Sequence, residues 1–169
     1  NSSAVQATYG VWDKPGDSAP FTRPMGRSLL RARTLTQTTA GDGSIYYSLG
    51  DPTVPANKID WVTQRGWVMD LSPISGLRVV SPLQKVSSKI ALVGAVAPAQ
   101  NVVSCDEADG AGINLLFPVE DGLNPTYPFF DFNGDGFINS SDTIVAGWAT
   151  KADGIDAIVR GTASCSGNI

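Results

Sequence analysis

Histidine is absent from the chain, and cysteine occurs only twice, at Cys105 and Cys165. With no imidazole and no CxxC spacing, zinc centres, haem and Cys/His catalysis have no residues to draw on. Glutamate is scarce as well: of sixteen acidic residues only Glu107 and Glu120 are Glu, and fourteen are Asp. Asp favours turns and caps where Glu favours helix interiors, so this imbalance argues against a helical protein. No apolar run approaches the roughly 20 residues that a membrane-spanning helix needs, so no membrane span is expected. The opening "NSSAVQATYG" lacks a basic stretch followed by an apolar one, and any secretion signal is expected to lie upstream or to have been removed.

What is present is a chain of 169 residues, 42% hydrophobic, with 18 Gly and 11 Pro. That length suits one domain with a real core, and the supply of Val, Ile, Thr and aromatic residues between turn formers predicts short strands rather than helices. The charge is divided unevenly. Residues 1–99 carry ten Lys or Arg against six Asp, about +4, whereas residues 100–169 carry two against ten acidic residues, about −8. An acidic half resists nucleic acid and favours cations. Arg23, Arg27, Arg31 and Arg33 cluster in the first half without interleaved aromatic residues, which gives no reason to expect a nucleic-acid partner.

Along the chain, "TYGVWD" at 8–13 reads as a strand. "SLLRARTLTQTT" at 28–39 is ambiguous on periodicity, but the following "AGDGS" and "IYYSLG" point to a hairpin turning at Asp42 and Gly43. "DWVTQRGWVMDL" at 60–71 is followed by "GLRVVSPLQKVSSKIALVGAVAP", two apolar strands broken near Pro82. "INLLFPV" is a further strand within an otherwise loop-rich stretch. This rhythm is that of an antiparallel meander. If its units are propeller blades of about 40 to 45 residues, the length holds three to four of them at most. The expected fold is mainly β: one domain over residues 1–169, built of antiparallel, propeller-like sheet units.

The stretch "DFNGDGFINSSD" at 131–142 places oxygen-bearing groups at alternate positions around a glycine. A twelve-residue calcium loop takes ligands from positions 1, 3, 5, 7, 9 and 12 with Gly at 6. Asp131, Asn133, Asp135, the Phe137 carbonyl, Asn139 and Asp142 occupy those positions, and Gly136 occupies the turn. Calcium accepts six to eight oxygens without strict geometry, so this donor set suits it better than magnesium. The loop ends in Asp where the usual pattern has Glu, so bidentate closure at Asp142 requires a closer approach. Ile138 is expected to pin the loop to the core, and Ser140 or Ser141 to cap a short helix through "SDTIVAGWA". A single loop of this kind suggests a staple rather than a paired sensor.

Two widely spaced cysteines in an Asp-, Gly- and Thr-rich chain suggest a Cys105–Cys165 disulfide in a secreted protein, two buried free thiols being the alternative. In the chain-entropy description, closing a loop of that size contributes about 4 kcal/mol.

"YGVWD", "RSLLRARTLTQ", "RGWVMDL", "LRVVSPLQKVSSKIALVGAVAP", Cys105 and "FFDFNGDGFINSSD" occur in an order that resembles the C-terminal end of the PilY1-type adhesins, which act in type IV pilus biogenesis and associate with the pilus tip. The resemblance implies a calcium-binding module at the end of a β-propeller. It further implies an extracellular location at the cell surface or pilus tip, and roles in pilus assembly, retraction and adhesion. Its partners would be minor pilins or a pilus tip complex, a host or surface ligand, and the remaining part of a propeller if this chain is a fragment. The loop is equally similar to half of a dockerin, but no second loop is present. A calcium-stapled domain of another cell-surface protein is therefore the alternative. For an enzyme, Asp60 with Asp70 or Asp153 with Asp156 would have to pair as catalytic carboxylates. No nucleophile motif accompanies them, and no enzymatic activity is expected.

Overall fold

The computed structural model describes residues 5–13, 26–97 and 110–151. Ten strands account for most of the regular structure: β1 (Ala7–Val11), β2 (Arg31–Arg33), β3 (Thr36–Thr39), β4 (Ile45–Ser48), β5 (Gly66–Asp70), β6 (Arg78–Val79), β7 (Gln84–Lys85), β8 (Ile90–Ala97), β9 (Ala111–Pro118) and β10 (Gly147–Lys151). Helix is limited, among the described residues, to two three-residue 3-10 turns at Arg27–Leu29 and Pro55–Asn57.

The hairpin expected at Asp42 and Gly43 forms for the anticipated reason. Gly43 takes φ +89°, the Ala40 carbonyl accepts the Gly43 N–H at 3.0 Å, and the Ala40 N–H donates to the Ser44 carbonyl at 2.8 Å. Thr39 is thereby set opposite Ile45. The centre of the molecule is the antiparallel pair β8–β9. Ala91, Val93 and Ala95 stand opposite Phe117, Leu115 and Ile113, and all six are buried. Alternate residues of a strand share a face, so small residues on one strand meet large ones on the other. β6 and β7 both pair with β8, as two short pieces separated around Pro82, which has no N–H to donate to a ladder.

The topology is less simple than a meander. The last strand, β10, is inserted between β4 and β9, giving the order β3-β4-β10-β9-β8-β6 with β7 also on β8. A second sheet has the order β1-β5-β2, antiparallel between β1 and β5 and parallel between β2 and β5. The described sheets thus have three and seven strands rather than the four of a single propeller blade.

Trp67 of β5 joins the two layers. Its indole packs edge-on against Phe117 of β9 at 5.5 Å between centroids and 87° between planes, and its Nε1 donates to the Val119 carbonyl at 3.0 Å. Two glycines make room for it. A Cβ on Gly10 would lie 2.3 Å from the indole, and one on Gly122, which has φ +63°, would lie 2.6 Å from it.

The helix expected after the loop is absent, and the chain runs extended into β10 instead. Thr143, Ile144 and Val145 are β-branched, which disfavours helix. The Asp142 carboxylate is turned back into the loop rather than forward as a cap, accepting the backbone N–H groups of Phe132, Asn133 and Asn139. Cys105, Cys165, Asp153 and Asp156 lie outside the described residues, and the disulfide with them.

Candidate functional site: the 131–142 loop

The loop grows from an aromatic base on β4 and β10. Tyr46 and Trp148 are cross-strand partners. Tyr46 packs against Phe130 and Phe132, with centroids 6.1 and 5.0 Å away, and Phe130 packs against Trp148 at 5.0 Å. The Tyr46 hydroxyl donates to the Asp131 carbonyl at 3.2 Å. Burial first, then the neighbouring carboxylates of Asp42, Asp131 and Asp142, raise the Tyr46 phenol above its ordinary value. This cluster does the anchoring expected of Ile138, which is 58% exposed, as is Phe137 at 72%. Ile138 is open to solvent, and the rings that flank the first ligand position take its place. The aromatic run "PFFDF" was the available signal for this, and reading the loop by ligand spacing alone passed over it.

Within the loop the first aspartate organises the turn. Asp131 Oδ1 accepts the N–H groups of Gly134 and Asp135 at 2.8 and 3.1 Å, and Oδ2 accepts that of Gly136 at 2.8 Å. Gly134 and Gly136 take φ +75° and +87°, a region open to glycine at little cost. Asn133 Oδ1 accepts the Asp135 N–H, its Nδ2 donates to Asp135 Oδ2, and Asp135 Oδ1 accepts the Phe137 N–H. At the far end Asn139 Oδ1 accepts the Ser141 N–H. The half-loop is closed by Asp142, which is buried. The Asn139 N–H, with those of Asn133 and Phe132, holds its carboxyl below the usual carboxylate range despite that burial.

An ionised carboxylate has about four acceptor sites and a carbonyl oxygen two. Asp131 and Asp142 each use three and Asp135 uses two. Asn133 Oδ1 and Asn139 Oδ1 each use one. Each of these five side chains therefore keeps at least one oxygen lone pair, and the donor chemistry fits a hard cation. Their convergence is less complete. No three Asp, Glu, Cys or His side chains come together as a metal-binding group among the described residues.

The carboxylates considered as a catalytic pair are engaged apart from one another. Asp60 accepts the Val62 N–H and the Thr63 hydroxyl within its own turn, whereas Asp70 forms a two-oxygen ion pair with Arg27 at 2.6 and 2.7 Å.

No protein-family model matches the chain, and no curated protein matches it. Among solved structures, the arrangement of sheets and loops has a counterpart in a crystal structure from Pseudomonas aeruginosa. The fold is similar to that of the PilY1 C-terminal domain. The likeness has a TM-score of 0.60 at 17% identity and covers 90% of this chain, which in turn spans 32% of the PilY1 chain. The likeness is one of fold, at low sequence identity. No helix of the described residues is long and apolar enough to cross a membrane.

Proposed function

We propose that this chain is a calcium-binding module of a type IV pilus tip-associated protein and contributes to pilus assembly, retraction and surface adhesion without catalysing a reaction. The observation that carries this reading is the PilY1-like fold over 90% of the chain. It is joined to a loop whose oxygen ligands fall on every position that a calcium loop requires. On this reading the chain is the C-terminal part of a propeller-like assembly, exported to the cell surface. Its partners are minor pilins or the tip complex, a host or surface ligand, and the rest of the propeller.

Calcium would be held by Asp131, Asn133, Asp135, the Phe137 carbonyl, Asn139 and Asp142. Bound there, it would supply the positive charge that lets three aspartates face one point. The rest of the loop's organisation belongs to the chain itself. Asp131 gathers three backbone N–H groups, and Asp142 ties position 12 to positions 2, 3 and 9.

The test uses the full-length protein in its pilated host. Asp131→Ala combined with Asp135→Ala should abolish calcium heat in calorimetry, leave secretion intact and alter piliation or twitching. Unchanged calcium binding would remove the site assignment. Lost binding with wild-type pili, motility and adhesion would remove the pilus role and leave a calcium-stapled domain of some other surface protein.

A further inference from the structure

Outside the 131–142 loop, Arg33 at the end of β2 has only 4% of its surface exposed. Its Nε donates to the Asp121 carbonyl and its Nη1 to the Asn57 carbonyl, both at 2.7 Å, but the buried Nη2 has no partner. Orphaned buried donors are rare in folded proteins and call for an explanation. Burial, reinforced by the nearby charge of Arg31 and only partly opposed by Asp121, pulls the guanidinium down to about 10. It remains a cation at neutral pH.

Arg33 also lines a cleft of about 550 Å³ together with Arg31, Thr36, Thr38, Ser48 and Gln64, and the described lining contains no Asp or Glu. In a chain with net charge −4, a cleft with two arginines and no acid is a local reversal of sign. Its polar groups are arranged to donate. Arg31 gives one N–H to the Ala56 carbonyl and retains others. Ser48 Oγ already accepts from Asn124 Nδ2, which leaves its proton to give. Gln64 Oε1 accepts the Asp60 N–H, which leaves its amide nitrogen as a donor.

We propose that this cleft, between β2, β3 and the end of β4, binds a small solute that carries a carboxylate or phosphate on a hydroxylated body. Arg31 and Arg33 supply the charge, and the threonine, serine and glutamine side chains supply the remaining hydrogen bonds. Arg31, half-exposed, is the cation that a solute meets first, and the buried Arg33 adds a second positive charge behind it. A volume in this range suits a ligand larger than a bare ion. A guanidinium pairs readily with a planar carboxylate or with phosphate oxygens.

Titration with glucuronate, inorganic phosphate and glucose tests the proposal. The chain should bind glucuronate or phosphate, with affinity falling as salt is raised, and should not bind glucose measurably. Saturation by glucuronate alone identifies a carboxylate on a sugar-like body, and saturation by phosphate as well identifies general oxyanion recognition. Arg31→Gln should weaken the bound anion by about tenfold or more, in line with hydrogen bonds to charged groups. Because Arg33 also ties two backbone segments together, its variants can fail to fold, and Arg31→Gln keeps the test decisive. Absence of binding for both anions at millimolar concentration, equal binding of glucose, or unchanged binding by Arg31→Gln would overturn the proposal.

Discussion

Trp67 shows how much of the fold rests on single residues. Its ring spans from the three-stranded sheet to Phe117 of the seven-stranded one, and its indole N–H is satisfied by a main-chain carbonyl. Truncation to Ala would remove the contact between the layers and leave a large cavity, at a cost of about 3 to 5 kcal/mol. Gly122→Ala is the subtler change. The added methyl would sit 2.6 Å from the indole, at a residue whose φ of +63° side chains rarely adopt. Overpacking and backbone strain each cost about 1 to 3 kcal/mol. Gly122→Ala should therefore lower the denaturation midpoint clearly. An unchanged urea midpoint for Gly122→Ala would show that the loop at 122 is not pressed onto the ring. The sequence displayed Trp67 and its neighbouring Gly66 but gave no sign that Gly10 and Gly122 frame the indole, because that frame closes only across distant segments. Arg33 was hidden similarly: in "RAR" it reads as one more surface cation, and only its tertiary partners reveal that it is buried.

The elements divide into those written locally and those decided at a distance. β8 and β9 were legible as the apolar runs "IALVGAVAP" and "INLLFPV", set off by the polar "KVSSK" and by loop-rich sequence. The β3–β4 hairpin was legible through its glycine and aspartate. The parallel pairing of β2 with β5 and the insertion of β10 between β4 and β9 were not, since neither leaves a mark on any one segment. The helix expected behind Ser140 or Ser141 came from a local capping rule, but the β-branched run Thr143, Ile144 and Val145 that follows favours the extended chain that leads into β10.

The hairpin turn also makes a pH prediction. Asp42 accepts the Ser44 N–H and hydroxyl at 2.8 and 2.9 Å, and the Ser44 backbone bond, ahead of the hydroxyl, holds its carboxyl below the ordinary value. A carboxyl depressed in the folded state contributes stability that is fully present above the unfolded value of about 4, and loses it as pH falls through the folded value. Asp42→Asn keeps an acceptor but cannot titrate, so its stability should decline less than that of the wild type below about pH 4. Parallel stability curves for the two proteins in acid would remove Asp42 as a contributor.

At the scale of the whole molecule the proposed calcium site raises the question of how far an ion bound there would act. The core cluster runs through Tyr47, Trp67, Met69, Val93, Leu115 and Phe117 and contains no residue of the 131–142 loop. The loop meets the sheet through Tyr46, Phe130, Phe132 and Trp148. A single extracellular-type loop with Kd near 10⁻⁴ M would, at millimolar calcium, contribute about 1 to 1.5 kcal/mol. That is enough to order twelve residues against solvent and small beside the roughly 5 to 15 kcal/mol of a whole domain. Removing calcium with a chelator should accordingly raise amide exchange across residues near 121–150 while leaving β5, β8 and β9 protected. The backbone N–H groups of Gly134, Asp135 and Gly136, held by Asp131, should respond first. β10 is the informative strand, because it follows the loop directly yet is paired with β9 along its length and with β4 at Gly147 and Trp148. Exchange that rises in the loop and stops at Gly147 would show a staple whose effect is confined by the sheet. Exchange that rises together in β8, β9 and β10 would instead make the ion a condition of folding, and a weak single loop could not then be its site.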